Sequence, residues 1–118
     1  MDIFTSEISY GVCDEVVAER VAQHHKWGQQ NHPSTAKHYH ESLTPDQLCE
    51  YYGILTEAAA KWQCQNPDKE VGDTWAAIAI EELSEAVSAT PDKRREELVQ
   101  LAAVVVAWIE SIDRNGND

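Results

Sequence analysis

Residues 75–114 read WAAIAIEELSEAVSATPDKRREELVQLAAVVVAWIESIDR, and this stretch decides the fold. Thr90-Pro91 divides it, because Thr as cap followed by Pro at the first helical position is a strong helix start. On either side, apolar residues recur at three- and four-residue steps. Trp75, Ile78, Leu83 and Val87 form one stripe and Leu98, Leu101, Val105, Trp108 and Ile112 another. The spacing predicts a helix from Thr74 to about Ala89, capped by Asp73, and a last helix from Thr90 to about Arg114. With almost no connection between them, the two are expected to fold back as an antiparallel hairpin. Val104-Val105-Val106 makes the last helix apolar nearly all round, so cover from a second copy is expected, as a dimer or tetramer.

Working outward, Ile8, Val12, Val16, Val17 and Val21 predict a helix from about Ser6 to Lys26, ended by Gly28. Gln29 to Ser42 is polar, contains Pro33 and has no helical or strand period. It reads as a long loop, a candidate lid or substrate-contacting segment. Thr44-Pro45-Asp46-Gln47 opens another helix, expected to reach about Cys64, and Asn66-Pro67-Asp68 breaks the pattern. The expectation is an all-α, four-helix single domain over residues 1–118, without repeats.

The 118 residues carry 9 Lys plus Arg against 21 Asp plus Glu, a formal charge of -12. That disfavours a sequence-independent grip on nucleic acid, which requires cationic neutralisation of phosphates. The apolar run Leu101 to Ile109 is too short for the ~20 residues of a membrane span. No signal sequence opens the chain, so the expectation is a soluble, cytoplasmic protein without a membrane partner. Cys13, Cys49 and Cys64 lack CxxC spacing and read as buried or incidental thiols. His24-His25 and His38-Tyr39-His40 read as surface histidines, and Lys93, Arg94 and Arg95 as a solvated basic face. Trp62, Trp75 and Trp108 are expected in the core or an interface.

The chemistry concentrates in Glu81-Glu82-Leu83-Ser84-Glu85 and Glu96-Glu97-Leu98-Val99-Gln100. Glu82 and Glu85 are helical neighbours, as are Glu97 and Gln100. Counted from Thr90, Glu85 and Glu97 lie five and seven residues away, and Glu82 and Gln100 eight and ten. At ~1.5 Å per residue each cross-hairpin pair differs in height by ~3 Å, so all four can converge. Converging carboxylates repel and call for compensation. The usual helical counter-ions are missing, since Glu85, Ala86 and Ala89 follow Glu81, Glu82 and Glu85 by four. Hard oxygen donors of this kind suit Mg²⁺ or Mn²⁺, which can engage substrate phosphates. A solvated acidic face is the plainer alternative.

Glu82-x-x-Glu85 followed by Glu97-x-x-Gln100 resembles the ExxE…ExxD signature of the MazG-like all-α nucleoside triphosphate pyrophosphohydrolases, most sharply over Trp75 to Arg114. Lys26-Trp27-Gly28-Gln29-Gln30-Asn31-His32-Pro33 is similar to a KWGxQxHP element of phage and actinobacterial MazG-like proteins. The resemblance implies hydrolysis of a nucleoside triphosphate to its monophosphate and pyrophosphate. It assigns metal binding to Glu82, Glu85 and Glu97, with Gln100 standing where the family usually has Asp. Glu81, just before the motif, is the candidate for positioning or deprotonating the attacking water, or for holding another ion. Trp27 is a candidate for stacking on the base, Gln30 and Asn31 for reading its edge, and Arg114 and Asn115 for approaching the nucleotide. Small phage members of the MazZ type act on guanine nucleotides, which makes dGTP or GTP the first substrate expectation. A pyrophosphohydrolase of another metabolite, such as a phosphoribosyl nucleotide, and a non-enzymatic helical dimerisation module are the alternatives.

Overall fold

In a computed structural model the described residues, 10–38 and 40–116, are helical or irregular, with no strand among them. Six α-helices follow one another: α1 (Tyr10–Trp27), α2 (Pro45–Tyr51), α3 (Glu57–Cys64), α4 (Lys69–Gly72), α5 (Trp75–Ser88) and α6 (Pro91–Asn115). A single 3-10 turn, Ala36–His38, interrupts the expected loop. None of these helices is long and apolar enough to cross a membrane. The chain divides into two compact units, one of residues 33–105 and one formed by residues up to 32 together with 106 onward.

In the first unit the local signals explain the element boundaries. Thr44 caps α2 through a reciprocal capping box with Gln47: the Gln47 amide donates to Thr44 Oγ1 at 3.2 Å, and the Thr44 amide to Gln47 Oε1 at 2.9 Å. The helix expected to continue to Cys64 stops instead at Tyr51. Gly53 takes the left-handed φ of 70° that terminates a helix, and the Ile54 amide closes the turn on the Cys49 carbonyl. Thr56 then caps α3 by accepting from the Ala59 amide at 3.3 Å. The short α4, which no apolar periodicity marks, follows with Asp68 as its cap. At α5 the cap is Thr74, which accepts from the Ala77 amide at 3.1 Å, rather than the expected Asp73.

The packing of α5 differs from the expected hairpin seam. It packs most extensively on α3 and α2, with Arg94 and Glu97 of α6 also reaching it, and its buried side chains are the small Ala77, Ser84 and Ala86. Ser84 is wholly buried and donates to the Leu55 carbonyl at 2.7 Å, while Cys49 of α2 approaches the Ser88 hydroxyl at 3.1 Å. By contrast, Ile78, Leu83, Leu98 and Val105 of the expected stripes are exposed, and α6 contains no buried residue. Trp62 is 67% exposed and so is not a core residue.

In the second unit α1 ends as expected at Gly28, whose amide bonds the His24 carbonyl at 2.7 Å. Of its predicted stripe, Val12 is buried and Val16, Val17 and Val21 are exposed; Ile8 lies outside the described residues.

Candidate functional site

The first unit brings three of the sequence-selected carboxylates together. Glu82 and Glu85 stand one turn apart on α5, and Glu97 reaches them from α6. One carboxylate oxygen from each lies within 4.8 Å of the other two. All three side chains are half-buried. Among the described residues none forms a salt bridge, and Glu82 Oε2 and Glu97 Oε2 are buried without any hydrogen-bond partner. Two full charges at that separation repel by about 3 kcal/mol at an effective dielectric near 20. The cost of an unpartnered buried oxygen adds to this.

The titration of the group reflects that strain. Burial, and then the charges of Glu82, Glu97, Glu81 and Glu57, push the Glu85 carboxyl up to about 7. Glu82 is raised as well, first by burial and then by Glu97 and Glu81. Protonation is one way to relieve three crowded carboxylates. A divalent cation is the other, and the donor set fits it. Magnesium–oxygen bonds of ~2.0–2.1 Å place neighbouring octahedral ligand oxygens ~2.9 Å apart, so side-chain rotations drawing the oxygens together by up to ~2 Å would close the cluster on one ion.

No protein-family model, curated protein or solved structure matches this chain. The site therefore rests on its own geometry.

Glu81 belongs to the neighbourhood without being one of the three converging groups. Its charge acts on Glu82 and Glu85 and on Cys64 of α3, whose Sγ donates to the Ala77 carbonyl at 3.3 Å. Burial, followed by Glu81 and the surrounding carboxylates, pushes the Cys64 thiol up to about 11, so it stays a neutral donor. Gln100 lies one turn beyond Glu97 and is exposed. The structure adds Glu57, in the first turn of α3, whose charge also raises Glu85, and Gln63, whose buried Oε1 lacks a partner. Nothing in the sequence periodicity links either to the motif. Only the packing of α3 on α5 does so.

Trp27, Gln30 and Asn31, with Arg114 and Asn115, belong to the other unit. All five are exposed. The Lys26 ammonium lies over the Trp27 ring at 4.8 Å, and the Asn115 amide donates to the Ser111 carbonyl of its own helix at 2.9 Å. The expected loop is partly anchored: Thr35 and Ala36 are buried, and the Ala36 amide donates to the Tyr52 hydroxyl at 2.8 Å. His24, His25, His38 and His40 are exposed.

Proposed function

We propose that the chain is a metal-dependent nucleoside triphosphate pyrophosphohydrolase of the MazG-like type, converting a (d)NTP to its monophosphate and pyrophosphate. The observation that supports this most is the meeting of Glu82, Glu85 and Glu97 from two helices, with two buried oxygens left unpartnered. A solvated acidic face would have every oxygen in water. In this reading the three glutamates hold Mg²⁺ or Mn²⁺, which supplies charge neutralisation to phosphate oxygens when bound. Gln100 contributes at most a neutral amide oxygen. Glu81, beside the cluster, orients the attacking water and accepts its proton. The water oxygen forms a bond to the α-phosphorus, the bond from that phosphorus to the bridging oxygen breaks, and pyrophosphate departs with the bonding electrons. The working substrate is dGTP or GTP, the setting the cytoplasm, and the active form a homo-oligomer.

The test is a screen of nucleoside triphosphates with Mn²⁺, Mg²⁺ or EDTA, separating monophosphate, pyrophosphate and orthophosphate. Cation-dependent release of monophosphate and pyrophosphate, abolished in Glu97→Gln, is the expected result. Orthophosphate as the first product would assign a different bond. Failure to turn over any triphosphate, together with no Mn²⁺ uptake, would leave the helical dimerisation module as the better account.

A further inference from the structure

Outside the carboxylate cluster, a cleft of about 510 Å³ lies within the 33–105 unit, between the Ala36–His38 turn and the junction of α5 with α6. Its charge is opposite to that of the chain. Lys37, His38 and Arg94 line it, against the single carboxylate of Glu41.

Arg94 is held by its own hydrogen bonds, and Lys37 stands on an anchored turn. The Ala36 amide ties the turn carrying Lys37 to the Tyr52 hydroxyl at 2.8 Å. Arg94 is fastened by its Nε to the Ala86 carbonyl at 3.1 Å and by Nη2 to the Ala89 carbonyl at 2.7 Å. Neither bond uses Nη1. Among the described residues, neither Lys37 nor Arg94 is in a salt bridge, although Glu41 shares the lining. Asp92, in the first turn of α6, is engaged by the Thr90 hydroxyl at 2.6 Å. An anchored guanidinium and a neighbouring ammonium lining one concave cleft suit an anion with several acceptor oxygens.

We infer that this cleft binds a phosphate or diphosphate group. Ser88 follows Glu85 by three residues and Arg94 precedes Glu97 by three, so the cleft begins about one helical turn, ~5 Å, from the carboxylates. A cation-collecting cluster beside an anion-receiving cleft has the charge order that a polyphosphate and its counter-ion require. The assignment of diphosphate as the occupant rests on the pyrophosphohydrolase reading; the anion site itself does not.

Calorimetric titration of inorganic pyrophosphate and inorganic phosphate into the full chain in EDTA tests the site. Saturable binding without any divalent cation is expected, with pyrophosphate the tighter ligand. Lys37→Glu and Lys37→Met should each weaken it roughly tenfold or more, the scale of one charged hydrogen bond. Glu41→Gln should tighten binding. No saturable metal-free binding, or wild-type affinity in both Lys37 variants, would overturn the inference. The two readings fail separately: pyrophosphate binding in EDTA without triphosphate turnover removes the enzyme and keeps the anion site. Turnover that is unaffected by Lys37→Glu, with no metal-free binding, does the reverse.

Discussion

Glu85 holds its proton up to about pH 7 in the metal-free chain, because burial and four neighbouring carboxylates disfavour its charge. The unfolded chain releases the same proton near the ordinary value of 4.5. The folded state therefore binds more protons between these values, and stability from this group is lost as the pH rises from about 4.5 through 7. Metal-free protein should be less stable at pH 8 than at pH 5 on this account. Added Mn²⁺ should recover the loss at pH 8 and do little at pH 5, which thermal denaturation with and without the ion will show. Glu85→Gln removes the repulsion and should raise metal-free stability at pH 8 by about 1 kcal/mol, after discounting for the partial exposure of the group. The same variant should weaken Mn²⁺ binding by tenfold or more. A scaffold with solvated glutamates would show neither change. In the wild type, Mn²⁺ affinity should fall steeply below pH 7 as the ion competes with the proton on Glu85, readable by calorimetry across pH.

The positions of these carboxylates depend on how α5 is seated, and two small residues set that seat. Ser84 is wholly buried and its hydroxyl donates to the Leu55 carbonyl between α2 and α3. Ser84→Ala leaves that carbonyl without its donor and should cost about 1–2 kcal/mol by chemical denaturation. Gly72 ends α4 against the end of α3: a Cβ there would stand 2.9 Å from the Asn66 carbonyl oxygen and 3.0 Å from that of Cys64. Backbone cannot move aside as a side chain would, so Gly72→Ala should cost about 1–3 kcal/mol. Neither constraint was legible in the sequence, since both depend on which helix α5 and α4 meet. Local chemistry was far more readable: Thr44-Pro45 and Gly28 bound α2 and α1 as their residue types require. The ExxE and Glu97 spacing likewise foretold the carboxylate meeting, which needs only helix geometry and a short connection. The break after Tyr51 escaped because Gly53 and Thr56, a helix stop and a cap three residues apart, sit inside an otherwise continuous run. The apolar stripes expected to meet between the last two helices are partly exposed instead, for a different reason. Periodicity identifies a face that needs cover without naming what covers it.

In the chain as a whole, that uncovered face carries the remaining question of assembly. Ile78 and Leu83 on α5 are exposed, as are Leu98, Val99 and Val105 on α6, where Leu98 is 47% and Val99 55% accessible. Single exposed aliphatics are ordinary on a protein surface, but a 25-residue helix with no buried residue has no core of its own to hold it. Tertiary packing, more than propensity, stabilises most protein helices. We therefore predict that a second copy packs on this stripe, so that sedimentation equilibrium returns a multiple of the monomer mass at micromolar concentration. Val105→Glu places a charge in the middle of the contact without touching the carboxylate cluster. It should shift the mass towards the monomer and, because α6 also carries Glu97, lower turnover most at low protein concentration. A wild-type chain that sediments as a monomer across this range, with α6 still helical by circular dichroism, would show that the stripe needs no partner.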